Sequence, residues 1–103
     1  MDTCQSLTQK ELESLIATQL LDCSPEERQH FEFCKVGPRL TAITRAGCIE
    51  GVFVVAHFRD LVMYYEDVEG GFNISSLSSD GAIATPGFEQ WELGHALRQL
   101  VAA

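Results

Sequence analysis

Between Asp60 and Leu97 the chain has no lysine and no arginine. The same stretch holds seven carboxylates: Asp60, Glu66, Asp67, Glu69, Asp80, Glu89 and Glu92. Five of the chain's seven basic residues fall between Arg28 and Arg59. Direct binding to nucleic acid needs a basic footprint, and an acidic C-terminal half with a net charge of −8 opposes it. An acidic surface instead keeps a chain soluble or draws a basic protein. No apolar run approaches the roughly 18 residues that a membrane helix needs. The opening "MDTCQSLTQKE" has neither a basic n-region nor an apolar h-region. The expectation is therefore a cytoplasmic protein without a membrane partner.

Catalytic signatures are missing too. There is no P-loop, no G-x-G-x-x-G, no G-x-S-x-G and no H-E-x-x-H. Cys4, Cys23, Cys34 and Cys48 are scattered, with no C-x-x-C pair. They read as small buried or half-buried thiols, not as disulfides or a zinc site. His30, His57 and His95 lie on distant segments, and nothing in their spacing suggests a metal site. No cofactor is expected.

What is present is regular. Thr8 is an N-cap with Glu11 three residues on, and Leu7 and Leu12 can staple over it. Leu12, Leu15, Ile16, Ala17 and Leu20 then recur at helical spacing. Ser24-Pro25-Glu26-Glu27 repeats the device and opens a short helix over about 25–35, which Gly37-Pro38 ends. Phe31 and Cys34 point inward from it. The period then changes to two. The segment 39–45 alternates weakly, and 52–58 is the strongest strand signal. Strands follow over 61–68 and 72–77, and 82–84 is a candidate fifth. Thr85-Pro86 reads as the start of the last helix, with Glu89 and Glu92 in its first turns and Arg98 near its end. The expected fold is α+β, in the order α-α-β-β-β-β-α. It is a single domain with an antiparallel meander sheet and helices on one face.

A two-residue turn at Arg59-Asp60 sets a register. Phe58 then pairs with Leu61, Ala56 with Met63, Val54 with Tyr65 and Val52 with Asp67. The first three pairs share a face with Val52, which is nearly all apolar and is expected to lie under the helices. The other face carries Phe53, Val55, His57, Val62, Tyr64 and Glu66. A turn at Glu69-Gly70 or at Gly70-Gly71 adds Asn73 and Ser75 to it, with Phe72 and Ile74 on the core side. Asp67 and Glu69 read as turn chemistry in an acidic hairpin.

The candidate binding residues are therefore His57, Tyr64, Glu66 and Asn73 over an apolar floor of Phe53, Val55 and Val62. Three readings stay open: a solvated outer face with ordinary cross-strand pairs, a homodimer interface suggested by the apolar floor, or a small-molecule pocket. Trp91 is a core anchor or a residue for stacking at an interface or on a ligand. His57 and Glu66 lie near opposite ends of the hairpin, so they make a poor acid–base pair. No residue stands out as nucleophile or base. The sequence favours a non-enzymatic interaction protein that self-associates, making its contact through the second sheet face or the acidic hairpin beside it. The alternatives are a small-molecule-binding protein or minor enzyme with a pocket lined by Tyr64, His57, Glu66, Asn73 and Trp91, and an acidic immunity-like or inhibitor-like protein for a basic partner.

At "YYEDVEGGFNIS", followed by Asp80-Gly81 and "FEQWELGHALRQL", the sequence resembles the short α+β proteins carried on bacterial integron gene cassettes and other mobile elements. The resemblance covers 62–100. It implies a bacterial cytoplasmic accessory protein of unknown activity and assigns no catalytic residue.

Overall fold

A computed structural model describes residues 7–45, 47–66, 70–87 and 89–102. The order is the expected one: α1 (Gln9–Leu20), α2 (Pro25–Cys34), β1 (Lys35–Arg45), β2 (Cys48–Phe58), β3 (Leu61–Glu66), β4 (Gly71–Ser76) and α3 (Leu93–Ala102). The strands form one antiparallel sheet in the order β1-β2-β3-β4.

Both capping boxes form. The Glu11 amide donates to Thr8 Oγ1 at 3.1 Å, and the Thr8 amide donates to Glu11 Oε1 at 2.9 Å. Ser24 and Glu27 repeat these bonds at 3.1 and 2.9 Å. Each satisfies two amides that a helix N-terminus would otherwise leave unpaired. Arg28 Nη1 closes the other end of α1, donating to the carbonyls of Cys23 at 2.6 Å and Leu20 at 3.2 Å. The α1 and α2 helices lean on the sheet together with α3. Leu12, Ile16, Phe31, Val55, Met63 and Phe72 are buried in one cluster with Leu93, Ala96, Leu97 and Leu100 of α3.

Two bulges change the expected faces. In the β2–β3 ladder, Phe58 opposes Leu61 and Ala56 opposes Met63, as the Arg59-Asp60 turn requires. Val55 is then skipped, and Val54 opposes Tyr64 instead of Tyr65. One extra residue reverses side-chain parity beyond it. Val52 and Val54 therefore move to the second face, where they join Ile43, Val62, Tyr64 and Ile83 in a second buried cluster. Phe53 and Val55 move to the helix side. The same point is irregular in β1, where Lys35 opposes Ala56 and Arg39 opposes Val54. Three residues, Val36, Gly37 and Pro38, thus stand against Val55 alone. Gly37-Pro38 does not separate helix from strand, since β1 begins directly after α2.

The β3–β4 connection keeps its parity. Glu66 opposes Gly71 and Tyr64 opposes Asn73, a loop two residues longer than a tight turn on either side of Gly70. An even change preserves the faces. Asp67, Val68 and Glu69 lie outside the described residues, and so does the acidic hairpin expected there.

The last helix starts at Leu93, not at Thr85-Pro86. The described residues of 77–92 instead turn at 78–82 and return along β4 as a crossover. Among the described residues, the bridge at the expected fifth strand joins Leu77 to Ile83 alone. The reason lies in partners remote in sequence. Thr85, which could have capped a helix, donates its amide to Ser75 Oγ at 3.0 Å. The Gly87 amide donates to the Tyr64 hydroxyl at 2.8 Å.

Candidate functional site

The second sheet face is closed by the chain itself. Tyr64 and Glu66 are fully buried, and Asn73 and Ser75 nearly so. The Asn73 side chain grips the crossover like a short piece of strand. Its Nδ2 donates to the Glu89 carbonyl at 3.0 Å, and its Oδ1 accepts from the Glu89 amide at 3.0 Å. The Phe72 amide donates to the Trp91 carbonyl at 2.8 Å. Ile83 then joins the two edges of the sheet. Its amide donates to Ala42 of β1 at 2.8 Å, while the next amide, Ala84, donates to Ser76 of β4 at 3.0 Å.

The predicted binding residues are thus divided. Tyr64, Glu66 and Asn73 share a face, as expected, but Tyr64 and Asn73 hold the crossover and Glu66 is fully buried. His57 is exposed. Phe53 and Val55 lie on the opposite side of the sheet, packed with the helices. The outer face therefore offers neither the open apolar floor nor the pocket expected of it. No sequence signal marks the bulge at Val55, because either parity buries valines.

Trp91 is half-buried against the main core and stacks on His95, with ring centroids 4.8 Å apart. Both line a polar cleft of about 350 Å³ where α1, α2 and α3 meet. Gln19, Cys23, Glu27 and Arg98 share it. Gln19 Oε1 accepts the Leu93 amide at 2.5 Å and so caps α3. Cys23 is not an activated thiol. Burial pushes its pKa up, the Glu27 carboxylate adds to this, and its Sγ donates to the Gln19 carbonyl at 3.5 Å. Burial raises the Cys34 thiol as well. Among the described residues no group of three or more His, Cys, Asp or Glu side chains could hold a metal ion. No described helix is long and apolar enough to cross a membrane.

Glu27 makes the stability of this region depend on pH. Its carboxylate accepts the Ser24 amide, and Arg98 Nη1 donates to it at 2.6 Å. The Ser24 bond, then the Arg98 bond, holds its pKa below the ordinary 4.5. A lowered folded-state pKa stabilises the fold above the unfolded value, and that contribution disappears as pH falls through the folded value. Glu27→Gln should therefore flatten the loss of thermal stability below pH 4.5. The flattening should be partial, because Thr8 lowers Glu11 and Ser78 lowers Asp80 in the same way. Melting temperatures taken from pH 7 down to 3 check this.

Among the described residues the large exposed apolar side chains are Leu21 after α1, Phe33 on α2, and Leu40 and Ile49, which lie together on the hairpin arm made by β1 and β2. Leu40 is 67% exposed and Ile49 77% exposed. In the ladder Leu40 opposes Phe53, Ala42 opposes Gly51, and Thr44 opposes Ile49. Residues directly opposed, and those two apart, share a face. One face of the arm therefore carries Leu40, Phe53 and Ile49, with Ala42 and Gly51 small at its centre and Thr44 its one polar side chain. A depression of about 420 Å³ at its inner end is lined by Leu7, Leu40, Gly51, Phe53 and Tyr65. Glu50 opposes Ile43 and so belongs to the other face. Sequence reasoning missed this surface because the segment 39–45 alternates only weakly. The usable signal was Leu40 and Ile49, each among polar or small neighbours.

No family model, curated protein or solved structure matches this chain.

Proposed function

We propose that the protein is a non-enzymatic interaction protein whose partner is a second copy of itself, and that the two copies meet through the apolar face of the β1–β2 arm. The observation that carries this is the exposure of Leu40 and Ile49 on one ladder face. Large apolar residues grouped on a surface mark contact sites. The face also suits a twofold. Ala42 and Gly51 form a low centre, with Leu40 and Phe53 at one end and Ile49 at the other. A twofold axis across the strands at that centre sets the Leu40 end of each copy over the Ile49 end of its partner. Charge favours the same place. The chain carries −8, and the ladder residues of this face include no carboxylate. Two copies can approach here with the least repulsion.

Four aliphatic side chains, worth roughly 1.5–3 kcal/mol each when fully buried, are comparable with an association cost of about 4–15 kcal/mol. The dimer should therefore depend on concentration. Buried free thiols at Cys23 and Cys34 support a reducing compartment, in keeping with a cytoplasmic protein.

Light scattering over a concentration series tests the reading. The wild-type mass should rise from 11.4 kDa towards twice that value. The double variant Leu40→Asp, Ile49→Asp should stay monomeric throughout with an unchanged circular dichroism spectrum. A wild type that is monomeric at every concentration, or a double variant that dimerises equally, defeats the proposal.

A further inference from the structure

We propose that the groove between α1 and the start of β1 binds a small apolar molecule carrying one positive charge, an alkyl or aryl primary amine. The groove holds about 380 Å³, within the roughly 300–1,000 Å³ of small-ligand sites. Its floor is core. Ile16, Phe31 and Val55 line it and are 8%, 4% and 1% exposed.

The space exists because of the double irregularity at Val55. Three residues of β1 stand where a regular ladder would place one, so Val36, Gly37 and Pro38 form a wall of their own. A Cβ added at Gly37 would meet nothing within 4 Å, so this wall is not packed tight. A regular strand would have brought β1 against the sheet. The bulge stands off instead, beside a floor of aromatic and aliphatic side chains, and such a floor takes an apolar body.

The rim sets the sign of the charge. It carries Glu13, Glu32 and Lys35. Lys35 Nζ is already paired with Glu32 at 3.0 Å. Among the described residues Glu13 is bonded only by the neutral side-chain amide of Gln9, which donates to it at 3.3 Å. The rim is therefore left with one uncompensated carboxylate on α1, above the apolar floor. An ammonium group there gains an ion pair while its hydrocarbon body fills the groove, and a carboxylic acid of the same shape would meet repulsion.

The test is an amide chemical-shift titration of the full chain with 2-phenylethylamine, and in parallel with the isosteric phenylacetate and the neutral 2-phenylethanol. The amine should shift Ala17, Leu20, Val36 and Val55 in a saturable way. It should bind about tenfold more tightly than phenylacetate, the scale of one partly screened ion pair. Glu13→Gln should bring the amine down to the affinity of the alcohol. Ala17→Trp should abolish the shifts, because Ala17 lines the groove from an exposed helix position where the fold tolerates a larger side chain. Equal binding of amine and acid overturns the proposal. So does amine binding that survives Ala17→Trp. Shifts that follow protein concentration and ignore the amine would make the groove a self-interface and would also overturn it.

Discussion

Gly71→Ala should cost about 3 kcal/mol or more, a large fraction of the roughly 5–15 kcal/mol that holds a domain folded. A Cβ at Gly71 would lie 2.3 Å from Gln90 Cα and 2.5 Å from the Gln90 carbonyl carbon. Those atoms are backbone, and they cannot turn aside as a side-chain tip can. Gln90 is held in turn, because its neighbour Trp91 accepts the Phe72 amide and Glu89 is gripped by Asn73. Relief would require the crossover to lift from β4, which breaks those bonds together. Chemical denaturation should show a large fall in midpoint. Gly70→Ala is the control. It has φ near 78° but nothing within 4 Å of an added Cβ, so its cost should be only the milder one of a left-handed alanine. Equal effects at the two glycines would refute the close-approach account.

Asn73→Ala should cost about 2–4 kcal/mol, from two lost bonds to a partly buried backbone amide and carbonyl at Glu89. Asn73→Asp separates the two halves of the grip. It keeps an acceptor for the Glu89 amide but offers no donor to the carbonyl, and it places a charge where Asn73 is 2% exposed. It should be at least as damaging as alanine near neutral pH. Hydrogen exchange supplies a local readout. In either variant the Glu89 and Gly87 amides should lose protection before those of α3, since they belong to the crossover and not to the helical core.

Legibility followed the distance over which each feature is determined. The first two helices could be read almost to the residue, since Thr8 with Glu11 and Ser24 with Glu27 complete their bonds within four positions. The turn at Arg59-Asp60 gave the correct pairing as far as Ala56, for the same reason. The loop at Gly70 turned out longer, yet by an even number, so Tyr64 and Asn73 were correctly placed together. Beyond Ala56 the reading failed at one residue. Val54 and Val55 are both buried, on opposite faces, and an unbroken run of valine and alanine carries no mark of which is the extra one. The late start of α3 was equally hidden. Thr85-Pro86 has helix-start chemistry, but Ser75, Tyr64 and Asn73 claim the segment first, and nothing local announces those partners. The candidate surface inherited both errors. It was sought on a face that the crossover covers, while Leu40 and Ile49 stood open on the arm.

The order in which the parts leave the ribosome gives the crossover a further meaning. All four strands are made before it. Until Ile83 emerges the sheet has two free edges, and until Leu93, Leu97 and Leu100 follow the main core lacks one wall. A nascent chain that has reached Ser76 holds every strand but neither the clasp nor the third helix. Its Val52, Val54, Val62 and Tyr64 would face water. The stable fold must then wait for the last quarter of the chain, and the interval before that is when exposed strand edges are most open to chaperones or to one another.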